Sequence, residues 1–385
     1  MKKTISILGS TGSVGLTTLE IIRKKKNLFK IDLLSANQNY KLICKQIKEY
    51  EKKIFVINNL KIFKKIKKRF EKKNIKIFNN FDLLKFKKKS DVTISAIPGL
   101  QGLKPTISMI KLSKKLLVAN KESIICGWNI IKKIADRNKV KIIPVDSEHF
   151  SILKIIENSD KSDIKKIYLT ASGGPFLKFK PGQFKNIQPR DAIKHPKWKM
   201  GKKISIDSST LMNKILELIE AQKLFNIPLK KLEILIHPES LVHAIVVFKN
   251  GLTKFIYHDT SMIIPISNGI FDDKVDINDF YKNKSNSKIN SLNFFKVDQK
   301  IFPIIKIKNR LNEFYSTPII INAANEVAVD QFLQKKIPFL SIIKFIMSIL
   351  KDRNYKKYAI RKPKNIEQII NIFNWTKSTI MNKVK

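Results

Sequence analysis

Lys3-Thr4-Ile5-Ser6-Ile7-Leu8-Gly9-Ser10-Thr11-Gly12-Ser13-Val14-Gly15-Leu16-Thr17-Thr18-Leu19-Glu20-Ile21-Ile22 decides the fold of this chain. From Thr4 to Leu8 small hydroxyl residues alternate with apolar ones, the period of a strand. Three glycines follow at a spacing of three, and Thr17 to Ile22 continue with helical character. Strand, glycine turn and helix form the first unit of a dinucleotide-binding fold. Glycines there let the backbone approach a pyrophosphate, which the free N–H groups and dipole of the following helix stabilise. The spacing G-x-x-G-x-x-G is one position away from the commoner G-x-G-x-x-G.

Further strands are expected at Ile31 to Ser35, Ile54 to Ile57, Val92 to Ala96, Lys115 to Val118 and Lys141 to Val145, with helical stretches such as Tyr40 to Tyr50 between them. Alternating strands and helices predict an α/β domain with a parallel sheet over residues 1–145. The second strand runs into Asn37-Gln38-Asn39 with no carboxylate to grip a ribose 2′-hydroxyl. That disfavours NAD and is compatible with NADP. Only Lys41 stands nearby as a cation for a 2′-phosphate.

Residues 146–281 read as a central α+β catalytic domain. Ile167 to Ala171 is a strand candidate, and so are Leu232 to Ile236 and Ala244 to Phe248. Prolines 175, 181, 189 and 196 break regular structure between 172 and 202, a loop long enough to be a lid. Asp207 to Phe225 reads as one helix capped by Ser208 or Ser209. A polar stretch, 282–304, is expected to be a linker. The pattern over 305–385 is helical: Ile319 to Lys335, Leu340 to Lys351 and Ile366 to Lys377.

The 76 basic and 31 acidic residues leave a formal charge of +45. A basic surface neutralises phosphates, so nucleic-acid binding is one reading. The basic residues are mostly lysines in scattered runs, and no recognition motif gathers them, so an AT-rich codon bias accounts for them better. The charge still attracts anionic substrates. Cys44 and Cys126 are isolated, which predicts no disulfide framework and suits a reducing cytoplasm. No signal peptide or membrane-spanning stretch is expected.

Chemistry-bearing residues gather at the ends of the predicted strands. Asp146 and Glu148 follow the last strand of the first domain, two apart in a segment expected to be extended, where both would point the same way. A divalent cation relieves the repulsion of two such carboxylates, and oxygen ligands select Mg²⁺ or Mn²⁺. A solvated acidic turn has the same pattern. Asn213, Lys214 and Glu217 share one helical face, either as an ordinary surface pair or as an anion site with Glu217 as third metal ligand. Ser208 adds a hydroxyl near that helix. Asn120-Lys121-Glu122 again follows an apolar strand. Ser172-Gly173-Gly174 offers a hydroxyl and backbone N–H groups to a phosphate. His195-Pro196-Lys197-Trp198 supplies a phosphate ligand or proton carrier beside an aromatic able to close over a site.

Eight stretches taken in order resemble the 1-deoxy-D-xylulose 5-phosphate reductoisomerase family: GSTGSVG from Gly9, LLVANKES from Leu116, PVDSEH from Pro144, ASGGPF from Ala171, HPKWKMGKKISIDSSTLMNK from His195, LELIEA from Leu216, HPESLVH from His237 and NAANEVAV from Asn322. The resemblance implies a cytoplasmic homodimer with an N-terminal Rossmann-like domain, a central catalytic domain and a C-terminal helical domain. It implies NADPH, with Mg²⁺ or Mn²⁺ (or Co²⁺) on Asp146, Glu148 and Glu217. It assigns substrate contacts to Lys121, Ser147, Glu148, Ser172, His195, Ser208, Asn213, Lys214 and Glu217. Among these, Lys121, Glu148 and His195 are expected to serve catalysis, although Glu148 and a metal-bound water both remain open as proton donors. Cofactor contacts fall on Thr11, Gly12, Ser13, Val14, Asn39, Asn120, Glu122 and Gly201, with Asn37 and Gln38 in the adenosine region where the family usually has a Gly-Lys type pair. The implied reaction converts 1-deoxy-D-xylulose 5-phosphate into 2-C-methyl-D-erythritol 4-phosphate for isoprenoid precursors, by retro-aldol cleavage and re-addition followed by reduction. An ordinary phospho-sugar dehydrogenase, a decayed enzyme and a basic nucleic-acid-binding protein are the competing readings.

Overall fold

The computed structural model describes residues 2–51, 53–84, 86, 88–198, 200–281 and 291–384. Among them the chain forms two compact units. One is drawn from Met1–Ser123, Asn129–Phe150 and Met262–Asn283, the other from Ile124–Trp128, Ser151–Ser261 and Lys284–Lys385.

The first unit is built on strands β1 (Lys3–Leu8), β2 (Phe29–Ala36), β3 (Ile54–Ile57), β4 (Lys76–Phe78), β5 (Ser90–Ser95), β6 (Ser113–Val118) and β7 (Lys141–Pro144). They form an all-parallel sheet in the order β4-β3-β2-β1-β5-β6-β7. Parallel neighbours need crossovers, which helices α1 (Ser13–Lys24), α2 (Tyr40–Glu49), α3 (Leu60–Arg69), α4 (Leu103–Ile110) and α5 (Lys121–Arg137) provide. Helices on both faces leave the central strands dry: Ile5, Ile7, Leu8, Ile94, Leu116 and Leu117 are fully buried. The order reverses between β1 and β5, so a crevice opens beyond their carboxyl ends, where such sheets bind ligands. Every strand expected in residues 1–145 is present. The unforeseen β4 is a three-residue edge strand, too short for a period to show.

Helix α6 (Ser147–Ile156) follows β7 directly. Here an expectation fails: Ser147 and Glu148 are helical, not extended. The Phe150 N–H donates to the Asp146 carbonyl at 2.8 Å and closes the first turn. Asp146 and Glu148 therefore do not align by strand alternation.

The second unit contains a mixed sheet of β8 (Ile164–Ala171), β9 (Leu232–Ile236), β10 (Val242–Phe248), β11 (Thr253–Tyr257) and β12 (Phe295–Lys296), in the order β11-β10-β8-β9-β12. Between β8 and β9 lie α7 (Pro189–Ala192), α8 (Lys202–Ser209) and α9 (Met212–Phe225). The stretch 172–202 is not devoid of regular structure: a 3₁₀ turn at Pro181–Asn186 and α7 both start on a proline. Proline fits the first helical position, since its missing N–H has no partner to lose there. The single helix expected over Asp207 to Phe225 is two. Leu211 takes a left-handed conformation, φ 64°, with its side chain buried, and the backbone turns between α8 and α9. Ser208 and Ser209 consequently end α8, and neither caps α9.

Helix α10 (Ile263–Phe271) returns to the first unit, where Phe271 meets Phe29 edge-on at 5.2 Å. Of the expected linker 282–304, residues 282–290 lie outside the described residues, and the remainder supplies β12, paired with β9. The chain ends in α11 (Thr317–Leu333), α12 (Phe339–Ile349), α13 (Tyr355–Ala359) and α14 (Ile366–Val384). Helix α11 is buried on nearly all sides, as a helix apolar all round must be. Among the described residues, no helix is long and apolar enough to cross a membrane.

Candidate functional site

In the first unit the candidate residues line one rim of the sheet. Gly9 ends β1 with φ 84°, a conformation that suits glycine, and a Cβ there would stand 2.7 Å from the Ala96 carbonyl oxygen beyond β5. Gly15 lets α1 press onto the turn, since its Cβ would lie 2.3 Å from the Gly9 oxygen. Gly12 stands at the N-cap of α1 with no side-chain hydrogen bond, and no acid occupies the first turn. Gly12 and Ser13 are exposed, with Thr11 and Val14 beside them. The first N–H groups of α1 thus meet no competing carboxylate, and a pyrophosphate fits this turn.

Asn37, Gln38 and Asn39 follow β2 and are exposed. Asn39 caps α2 by accepting from the Leu42 N–H at 3.1 Å. Asn120, after β6, is buried and committed to the backbone: its oxygen accepts from the Ser123 N–H at 2.7 Å. Its amide donates to the Ile97 oxygen at 2.6 Å and to Glu122 at 3.1 Å. It ties the segment after β5 to the end of β6 and caps α5, the helix that Lys121 begins. The Lys121 ammonium lies 2.8 Å from Asp146, both largely buried. Ser147 donates to the Glu148 carboxylate at 2.7 Å.

In the second unit, Ser172 directly follows β8. Its hydroxyl lies 3.0 Å from His195 Nε2 and accepts from the Gly174 N–H at 3.1 Å. The other ring nitrogen, His195 Nδ1, accepts from the Trp198 N–H at 2.9 Å and from the Lys197 N–H at 3.2 Å. A nitrogen that accepts from the backbone carries no proton, so Nε2 bears it and donates to Ser172. Burial, and then the nearby Lys214 ammonium, lower the His195 pKa to about 4. His195 is therefore a neutral donor at pH 7, not a cation.

Helix α9 carries Asn213, Lys214 and Glu217. The Glu217 carboxylate is fully buried, one oxygen 2.8 Å from the Lys214 ammonium and the other held by the Asn213 amide. This fits the sequence-derived helical face, with burial in place of a solvated surface pair. Ser208 lies in the last turn of α8, and Gly201 caps the start of that helix. A buried carboxylate persists only where cations or donors compensate it. The candidate ligands Asp146, Glu148 and Glu217 offer oxygen alone, and both Asp146 and Glu217 hold a positive group against them here. That donor set fits a hard divalent cation.

The structure adds residues that sequence reasoning passed over. Ala96 and Ile97 face the glycine turn because β5 lies beside β1, and strand order has no signal in the local pattern. His243 and His258 stack at 3.9 Å, and Trp198 meets His243 edge-on at 6.1 Å. Two signals in the sequence point to them: His243 closes the stretch HPESLVH, and histidine is scarce, with five in 385 residues.

Comparison with known proteins bears on the whole chain. Residues 5–127 match the family profile described as 1-deoxy-D-xylulose 5-phosphate reductoisomerase. Residues 142–225 and 259–379 match two C-terminal domain profiles of the same family. The chain is 47% identical over 380 residues to the 1-deoxy-D-xylulose 5-phosphate reductoisomerase of Pelagibacter ubique, covering 97% of each protein. It is 41% identical to that of a Wolbachia from Drosophila simulans, covering 91% of this chain and 90% of the relative. A crystal structure of DOX-P reductoisomerase with NADPH, fosmidomycin and magnesium superposes with a TM-score of 0.93 at 28% identity, covering 99% of this chain and 98% of that one. The Zymomonas mobilis enzyme in complex with NADPH gives 0.88 at 30% identity, with both chains covered in full.

Proposed function

This chain belongs to the 1-deoxy-D-xylulose 5-phosphate reductoisomerase family, and on that footing we propose how its own residues divide the work. Its activity is the metal-dependent isomerisation and NADPH reduction of 1-deoxy-D-xylulose 5-phosphate to 2-C-methyl-D-erythritol 4-phosphate, a step towards isoprenoid precursors. We assign cofactor binding to residues 1–145, catalysis to 146–281 with a lid at 172–202, a connecting stretch to 282–304 and a helical domain to 305–385. The protein acts as a cytoplasmic homodimer on a small phosphorylated sugar, without a membrane or specific nucleic-acid partner.

Thr11, Gly12, Ser13 and Val14 in the glycine turn, Asn37, Gln38 and Asn39 after β2, and Asn120, Glu122 and Gly201 would hold NADPH. The cofactor supplies a hydride. Asp146, Glu148 and Glu217 hold Mg²⁺ or Mn²⁺ (Co²⁺ also suits oxygen donors), which supplies positive charge for substrate oxygens. The other steps belong to side chains. Ser172, His195 through Nε2–H, Ser208, Asn213 and Lys214 bind the phosphoryl group. Lys214 is the cation of that set, and neutral His195 adds a directed hydrogen bond. Ser147 orients Glu148, and Lys121 holds Asp146 and offers its remaining N–H donors to substrate. Trp198 excludes water when the loop is closed. Binding energy from the phosphoryl group then positions the reacting carbons.

The observation that carries this assignment is the fully buried Glu217 carboxylate gripped by Lys214 and Asn213. The test is NADPH oxidation with 1-deoxy-D-xylulose 5-phosphate, followed by product identification. Turnover should need Mg²⁺ or Mn²⁺, stop on chelation and yield the branched tetritol phosphate. Metal-independent turnover, or reduction to an unbranched product, would overturn the reading.

A further inference from the structure

Within the second unit, a row of rings stands behind His195 that phosphate binding does not require. His243 lies on β10 where the pairing with β11 shifts register between Val242 and Ala244. Such a bulge re-aims a side chain. The His243 ring lies against that of His258 at 3.9 Å with planes 17° apart. His243 Nε2 is 3.2 Å from the His258 carbonyl oxygen, and His258 Nδ1 is 2.8 Å from the Asp259 carbonyl oxygen. Carbonyls only accept, so each of these nitrogens carries a proton and the tautomers are set. His258 Nε2 is buried without a hydrogen-bond partner among the described residues. Burial lowers the pKa of both rings, so the stack is uncharged at neutral pH.

On this base rests Trp198, its ring edge-on to His243 at 6.1 Å and 71°. The Trp198 backbone N–H in turn donates to His195 Nδ1, and His195 Nε2 reaches Ser172. The row thus runs from His258 through His243 and Trp198 to His195 and Ser172.

We propose that His243, seated on His258, is a positioning residue for the loop at 195–198: it fixes the Trp198 ring, and through the Trp198 N–H it fixes the aim of His195. The proposal deepens the reading of His195 as a substrate contact and rests on it. A loop of this kind has few other anchors, since Lys197 is exposed and Pro196 has no N–H to donate. An edge-to-face contact with a rigid neutral ring restrains the indole without a charge that a phosphorylated substrate would disturb. His258 restrains His243 in turn by stacking face to face with it.

The test uses the full chain with Trp128→Phe and Trp375→Phe, which leaves Trp198 as the single tryptophan. His243→Ala should shift Trp198 emission to longer wavelength and increase its quenching by acrylamide. It should raise KM for 1-deoxy-D-xylulose 5-phosphate about tenfold while kcat changes less than about threefold, because an ångström of misplacement is costly to binding geometry. His243→Phe keeps a ring in place and should restore both readouts. Unchanged emission and KM in His243→Ala would overturn the proposal, as would a His243→Phe variant as impaired as the alanine. If His243→Ala does not fold, His258→Ala, which removes the supporting ring, carries the same expectations and the same contrary results. If His195→Ala leaves KM unchanged, the substrate reading of His195 fails, while Trp198 emission still decides the positioning claim.

Discussion

In the proposed anion site, Lys214 and His195 carry different charges, and their surroundings set the difference. Lys214 is an ammonium buried against Glu217. Its loss removes a charge-assisted contact and leaves a buried carboxylate short of a partner. Lys214→Ala should raise KM for the phosphorylated substrate about tenfold to a hundredfold, as expected for roughly 1.5–3 kcal/mol; steady-state kinetics showing an unchanged KM would remove Lys214 from the anion site. His195 should remain neutral well below neutral pH. Its folded pKa is lowered to about 4, whereas an unfolded histidine takes up a proton near 6.5. Stability therefore falls as pH drops from about 6.5 towards 4, where the unfolded chain binds the extra proton. An NMR titration of the imidazole resonances should give a His195 midpoint near 4, moved upward in Lys214→Ala; a midpoint near 6.5 in the parent would contradict the neutral-donor role. The spacing of Asn213, Lys214 and Glu217 was legible in the sequence. The complete burial of Glu217 was not, because an amphipathic period does not say how deep a polar face lies.

The elements show the same division. The strands ending at Leu8, Val118 and Pro144, and the glycine turn after β1, could be read from residue types alone, because a pleated strand and a left-handed glycine are local demands. The break between α8 and α9 could not. Residues 207–225 keep an apolar period throughout, and Leu211 accepts a left-handed backbone because its side chain gains full burial. The extended reading of Asp146 to Glu148 failed for a related reason: the strand ends at Pro144, and the Asp146 carbonyl already accepts the first helical hydrogen bond. A sharp prediction arises at the turn. Any side chain at position 15 places a Cβ 2.3 Å from the Gly9 oxygen, closer than real contacts allow. Gly15→Ala should force α1 off the turn and destabilise the protein by about 1–3 kcal/mol. Its affinity for NADPH, measured by fluorescence titration of the folded fraction, should weaken at least tenfold. Wild-type melting and affinity together would show that the close approach is dispensable.

At the scale of the whole molecule, composition foretold little beyond the attraction of anions. Most of the net charge of +45 lies in scattered lysines outside the motifs that carry chemistry. Fold class followed from the alternation of strands and helices, but not the strand order β4-β3-β2-β1-β5-β6-β7, which sets the reversal between β1 and β5. Order depends on which distant strands pair, and a local period is silent on that. The ordered set of motifs compensated, because it carried the family and hence the cofactor and metal. The ligand set is the most demanding claim at this scale, since it draws on residues 146, 148 and 217 from separate stretches of the chain. Mn²⁺ binding followed by electron paramagnetic resonance tests it most directly. The parent should bind one Mn²⁺ per chain, with affinity weakened at least about tenfold in both Asp146→Asn and Glu217→Gln, the scale on which metal sites respond to such losses. Wild-type Mn²⁺ affinity in Glu217→Gln would contradict it.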